Sequence, residues 1–466
     1  MTSSQEGRRQ QNTPQGSCLR RDAVNTQGIA GAPSPSSART TEQPGKNAQR
    51  LMELIVSNSN VKSACKRVEQ NDGAAGIDGM RAGGLRPYLH DHWAELKQSL
   101  LSGTYKPSPV RRHEIPKPGG GVRLLGIPTA LDRFIQQAVL QALTPLFEPR
   151  FSEHSYGFRP GKSARQAVEA ARGYIEEGYG FVVDMDLSKF FDRVNHDIVM
   201  AKVARVVQDK RMLKLIRAFL KAGVMENGVC VRSEEGTPQG GPLSPLLANI
   251  MLNDLDWELE RRGHRFARYA DDCNIYVKSR RAGERVMASV RRFVESKLKL
   301  KVNEAKSAVD RPARRKFLGF SFIGGSNPRI RIANKTRERF EERIRKITNR
   351  SNGRSMASRI CELNAYVRGW MGYFRIARTP SVYQEMDQWM RRRMRMCLLK
   401  QWKKPKTVRR NLVALGIPEE WARKISGSRK GYWRLANTPQ VNKALGLAYW
   451  RNQWLLSLMD LYAQNS

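Results

Sequence analysis

The chain predicts an α+β fold, and three observations carry that expectation. Before Asn334, short apolar strands and amphipathic helices alternate without the regular rhythm of a doubly wound sheet. Beyond Asn334 strand signals vanish and helical spacing takes over. With 466 residues, 40% of them apolar, the chain has material for several packed regions rather than one core.

Residues 1–46 are rich in Ser, Thr, Gln, Gly and Pro and offer too little apolar surface to offset chain entropy, so this segment is expected to be disordered. Leu51, Leu54 and Ile55, then Val61, Ala64, Cys65 and Val68, recur at helical spacing, and a glycine-punctuated loop follows from Gly73 to Gly84. HEIPKPGGGVRLLGIP reads as a hairpin with a mobile tip at Gly119, Gly120 and Gly121. LDRFIQQAVLQALTPLF is helical, GFVVDMDL is a buried strand, and ARYADDCNIYV is two strands around a tight turn. Phe340, Ile344 and Ile347 open a helical remainder that runs to Ser466.

Charge sets the class of partner. Lys and Arg number 83 against 43 Asp and Glu, a net charge of +40, which points to a polyanion because each phosphate neutralised releases condensed counterions. More than half of the excess falls between Arg329 and Arg434, where 29 basic residues face 8 acidic ones. Trp370, Tyr373, Phe374, Trp389, Trp402, Trp421 and Trp433 are interleaved there. Taken singly these aromatics read as helical core, while the charge excess reads as a nucleic-acid surface. Arg368 and the run Arg391, Arg392 and Arg393 are its candidate phosphate contacts. No apolar run approaches a membrane span, and the first residues lack a signal peptide's apolar stretch, so a soluble, cytoplasmic protein without a membrane partner is expected. Six scattered cysteines with no C-x-x-C pair read as reduced thiols.

Chemistry concentrates in few acidic residues. Strand alternation puts Val182, Asp184 and Asp186 on one face, two carboxylates that are costly unless a salt bridge or a metal meets them. Asp271 and Asp272 lie at the turn of Arg-Tyr-Ala-Asp-Asp. Alone that dipeptide is more often a plain turn. Converging with the strand carboxylates, it makes an oxygen site suited to Mg²⁺. Two such ions roughly 3.5–4 Å apart serve polymerase chemistry, activating a 3′-hydroxyl and stabilising pyrophosphate. Gly157-Phe-Arg-Pro-Gly-Lys-Ser163 has glycines four apart rather than five and no strand before it, so it is not a phosphate-binding loop of the ATPase kind.

Tyr269-Ala270-Asp271-Asp272 resembles the Tyr-x-Asp-Asp box of reverse transcriptases. AGIDG, IPKPGGGVRLLGIP, SYGFRPGKSARQA, VVDMDLSKFFDRVNH, GTPQGGPLSPLLANIMLNDLD, KVNEAKS and KFLGF occur in the order found in group II intron reverse transcriptases and maturases. The resemblance implies a right-hand polymerase: fingers and palm with an antiparallel sheet over 47–328, a thumb or maturase domain X over 329–380, and the rest of the thumb with a basic helical region over 381–466. It implies RNA-dependent DNA polymerisation with two Mg²⁺ ions and dNTPs, on an RNA template with a DNA primer. It also implies binding of the intron RNA for splicing, and of target DNA for retromobility. Asp186, five residues before Phe191, is matched to the metal ligand with Asp271, and Asp272 to the third carboxylate. Asp184 has no assigned duty.

By the same resemblance Phe191 walls the sugar pocket against a 2′-hydroxyl. Lys117 and Arg123 hold the incoming triphosphate, Gln239 lies near the nucleotide, Lys306 lies near the triphosphate, and Arg159 and Lys162 touch template or primer backbone. With no His after His264 and no paired Cys, the chain resembles the short bacterial class IIC, which lacks an endonuclease domain.

Overall fold

A computed structural model describes residues 50–116, 121–226, 229–231, 236, 240–325 and 327–464. They fall into two units, residues 50–333 with 376–378, and residues 334–375 with 379–464.

The first unit is built around an antiparallel sheet of β3 (Phe181–Asp186), β6 (Arg265–Tyr269), β7 (Asp272–Val277) and β8 (Ala308–Asp310), in the order β6-β7-β3-β8. Alternation sorts its two faces as expected. Val183 and Met185 join Cys273, Ile275 and Val277 in the main core, on the face covered by the helix Arg280–Lys297. The other face carries Val182, Asp184 and Asp186, paired in register with Tyr276, Asn274 and Asp272. The helix Ala164–Glu176 packs over the Tyr276 end, where the Tyr174 and Tyr276 rings are 5.5 Å apart. At the opposite end the carboxylates stay half-buried.

The glycine hairpin forms as predicted. β1 (Val110–Pro116) pairs antiparallel with β2 (Val122–Ile127), from Arg111 opposite Ile127 to Pro116 opposite Val122. Its tip, residues 117–120, lies outside the described residues. β1 also runs parallel to β4 (Val224–Glu226), which pairs with β5 (Val229–Val231), giving the order β2-β1-β4-β5. The helix Ala130–Phe147 follows β2 directly. Thr129 caps it, its hydroxyl accepting from Asp132 N at 3.0 Å, and Phe134, Ile135, Ala138, Val139 and Leu143 are buried along it. A hairpin of β9 (Phe320–Ile323) and β10 (Arg329–Ile332) closes the unit, so residues 329–332 belong to the first unit rather than opening the helical one.

The second unit is helical, as the loss of strand signals implied. Asn334–Ile347, Met356–Phe374 and Pro380–Trp402 are its long helices. Phe340, Trp370, Phe374 and Tyr383 pack as an aromatic core, with Phe340–Trp370 and Trp370–Phe374 ring centroids both 4.7 Å apart. Buried Asp387 accepts from Ser457 Oγ, Leu458 N and Met459 N, which caps the last helix, Leu458–Ala463, and ties it to the centre. Cys65, Cys273 and Cys397 are buried free thiols. Among the described residues no helix is long and apolar enough to cross a membrane.

Candidate active site

Three segments distant in sequence assemble around the end of β3. Asp186 lies directly opposite Asp272 in the β3–β7 register, and Asp271 occupies the two-residue turn just before β7. The stretch after Lys301 wraps Asp186. Asn303 N donates to Asp186 O at 2.8 Å, Asn303 Nδ2 donates to Asp186 Oδ2 at 3.0 Å, and Asp186 N donates to Ser307 Oγ at 3.0 Å. The Lys306 ammonium stands 3.6 Å from the same Oδ2. The carboxylate is therefore oriented by an amide and faced by a cation before any ligand arrives.

The turn itself is held from behind by a buried arginine. Arg268, fully enclosed, gives Nε and Nη2 to the two Asp256 oxygens at 2.7 and 2.5 Å. Its Nη1 donates to Ala270 O at 2.8 Å and Asn249 Oδ1 at 3.0 Å, and Nη2 also reaches Ser155 Oγ at 2.7 Å. Burial opposes the guanidinium's charge, yet the Asp256 carboxylate raises its pKa above the ordinary arginine value. Asn249 Nδ2 donates to Gly157 O at 2.8 Å, and Gly157 is pressed so closely on the turn that a Cβ there would collide with Ala270 N. Ala270 meanwhile adopts φ +56°, a left-handed conformation unusual for alanine. The Gly-Phe-Arg-Pro-Gly block thus works as a buttress.

Burial, then repulsion from Asp184 and Asp271, pushes the Asp272 carboxyl well above its ordinary pKa. Asp184, whose duty the sequence left open, has a partner: Arg315 holds its Oδ2 at 2.5 Å through Nη2 and at 2.8 Å through Nε. Burial still raises the Asp184 pKa, with Arg315 opposing. Among the described residues no three His, Cys, Asp or Glu side chains already stand as a metal-holding group. The donor chemistry of Asp186, Asp271 and Asp272 nonetheless fits a hard divalent cation. All their donors are carboxylate oxygens, and the repulsion that raises Asp272 is what a cation would relieve.

Other expected residues divide. Phe190 is buried while Phe191 is only half-buried, its ring edge-on to Phe190 at 5.1 Å. Lys117 and Gln239 lie outside the described residues, and of Arg123 only the backbone, in β2, is described. Arg159 is placed differently from the expected phosphate contact. It is buried, with Nε bound to Glu148 and Nη1 to Ser152 O and Ser155 O, because it fixes the loop behind the turn. Lys162 pairs with Glu153.

In the second unit Arg392 stacks on Trp433 at 3.9 Å and donates to its carbonyl, and Arg393 donates to Thr348 Oγ1. Both therefore spend donors within the unit, because the helix that bears them is central to it. Arg391 is half-buried and Arg368 exposed. Sequence reasoning missed Arg268, Asp256, Asn249, Asn303, Ser307 and Arg315. Their one sequence signal was that they sit within or beside the resembling blocks.

Residues 115–322 match the family model described as reverse transcriptase (RNA-dependent DNA polymerase), and residues 337–415 match that of the group II intron maturase-specific domain. Protein YkfC of Escherichia coli (strain K12) is 33% identical over 321 residues, covering 60% of this chain and 83% of that protein. The group II intron-encoded protein LtrA of Lactococcus lactis subsp. cremoris is 31% identical over 313 residues, covering 53% of this chain and 52% of LtrA, so the chain spans about half of LtrA's length. Among solved structures, a partial Cas6-RT-Cas1–Cas2 complex is 25% identical over 53% of this chain and 43% of that one, with a TM-score of 0.35.

Fold and matched domains define an RNA-directed DNA polymerase joined to a maturase domain. The chain belongs to the family of group II intron-encoded reverse transcriptases and maturases, a family that depends on divalent metal.

Proposed function

We propose that the chain copies RNA into DNA at the carboxylates of the first unit, and that the second unit acts as thumb and maturase domain, holding the intron RNA for splicing and engaging target DNA during retromobility. The observation that carries this reading is Asp186 facing Asp272 across β3 and β7 with Asp271 in the adjoining turn. Asp186, Asp271 and Asp272 would hold two Mg²⁺ ions, which supply activation of the primer 3′-hydroxyl and stabilisation of the leaving pyrophosphate.

The protein's own residues do the positioning. Asn303 fixes the Asp186 carboxylate, and Lys306 places positive charge beside it, where an incoming triphosphate gains most. Phe191 blocks a 2′-hydroxyl, which favours dNTPs. Arg123, in β2, together with Lys117 and Gln239, completes the nucleotide pocket. Arg368 and Arg391 contribute phosphate contacts in the second unit.

The test is extension of a DNA primer annealed to RNA. With dNTPs and Mg²⁺ the purified chain should extend it, chelation should stop extension, added Mg²⁺ should restore it, and ribonucleotides should substitute poorly. A folded chain that never extends the primer contradicts the reading.

A further inference from the structure

Trp454 is the most exposed large apolar side chain among the described residues, at 84% of its accessible surface. A residue of this size normally contributes most of its ring to a core. Its backbone is costly as well, with φ +61° in the left-handed region that favours glycine. Nor does the ring hang from a loose loop. Trp454 N donates to Arg451 O at 2.9 Å, and Leu455, buried beside it, donates to Trp450 O at 2.9 Å. Asn364 brackets the residue from the helix Met356–Phe374: its Nδ2 donates to Trp454 O at 2.7 Å and its Oδ1 accepts from Leu456 N at 2.9 Å. A strained backbone is thus pinned so as to present an indole to solvent.

Asn364, which holds the Trp454 carbonyl, belongs to a helix whose next turn offers groups that suit a phosphate. Arg368 lies one turn beyond Asn364, on the same side of the helix, and is exposed. Gly369 and Gly372, also exposed, sit inside the helix with nothing within 4 Å of where a Cβ would stand. Glycine there weakens a helix relative to alanine, and what its bare backbone offers in return is close approach of a ligand. The surrounding 29 basic against 8 acidic residues between Arg329 and Arg434 favours a polyanion over an apolar protein partner.

We propose that Trp454 and Arg368 form a contact site for an unpaired nucleotide of a single-stranded nucleic acid, the base stacking on the indole and the phosphate meeting the guanidinium. This rests on the reading above that the second unit binds nucleic acid. It adds the position and the single-strandedness of the contact.

The experiment measures binding of short RNA and DNA oligonucleotides of one sequence to the full chain by fluorescence anisotropy across a salt series. Trp454→Ala should weaken binding by roughly five- to a hundredfold with an unchanged salt slope, the scale of one lost stacking contact. Trp454→Phe should keep most of the affinity. Arg368→Ala should instead reduce the slope of log affinity against log salt by about 0.7, one phosphate's share on a single strand. Trp454→Gly should bind as poorly as Trp454→Ala while its Tm stays level or rises, because glycine relieves the left-handed strain. Equal losses on RNA and DNA support a base-stacking site common to both, and a loss on RNA alone supports one dedicated to RNA. Wild-type affinity in Trp454→Ala, or an affinity loss tracked by a falling Tm in both variants, overturns the proposal. If the wild-type chain itself bound no oligonucleotide, the broader reading of the second unit would fail, which is a separate result.

Discussion

Asp271→Ala is expected to lower single-turnover nucleotide addition by on the order of 10³-fold or more while leaving affinity for RNA near wild type. The carboxylate stands in a half-buried turn and not in the core, so its loss should cost the fold little. The sign of the stability change is informative. Asp271 is one of the charges that raise the Asp272 pKa, so wherever both carboxylates are ionised it repels a neighbour that folding has already half-buried. Removing it should leave Tm unchanged or slightly higher. A variant that folds better and polymerises far worse is the signature of a group kept for chemistry. Retained extension in Asp271→Ala would remove it from the site.

The second large effect is expected behind the turn. Asp256→Asn keeps shape but leaves the Arg268 guanidinium buried without its counter-charge, which should cost about 3–5 kcal/mol and lower Tm by roughly 10 °C. Arg268→Lys tests position instead of charge. An ammonium can stay paired with Asp256, but it cannot also reach Ala270 O, Asn249 Oδ1 and Ser155 Oγ in the planar fork that arginine provides. Its kcat at saturating primer and template should therefore fall about ten- to a hundredfold, with KM nearly unchanged and a Tm above that of Asp256→Asn. Equal proportional losses of activity and stability in the two variants would reduce Arg268 to a fold-stabilising residue.

Much of this architecture was legible because its signals are local. The period-two alternation over Phe181–Asp186 announces which face carries the carboxylates, and the hairpin about Ala270 and Asp271 is bounded by apolar runs that admit little else. The supports were not legible, since they come from far along the chain. Asn303 and Ser307 reach Asp186 across more than a hundred residues, and Arg315 reaches Asp184 across 131. Arg268 was hidden by composition: among 83 basic residues, one that turns inward to meet Asp256 looks like any surface cation. Arg159 misled because the resemblance assigns it to template or primer backbone, whereas its length and planarity serve the loop behind the turn. Asp184 is the converse case. The pattern showed that it needed a cation, and only the packed structure names Arg315 as that cation.

The most direct test of the central claim is to locate the metal ions without relying on turnover. Fe²⁺ substituted for Mg²⁺ in the complex with primer, template and dNTP reduces added hydrogen peroxide to hydroxide and hydroxyl radical, with ascorbate returning Fe³⁺ to Fe²⁺, and the radicals cut the backbone beside the bound ion. Mapped cuts should cluster near Asp186, around Ala270–Asp272 and near Asn303–Ser307, should vanish when excess Mg²⁺ competes, and should be lost in Asp271→Ala. Cuts that fall elsewhere, or that persist unchanged in that variant, would contradict the assignment of Asp186, Asp271 and Asp272 as the metal site.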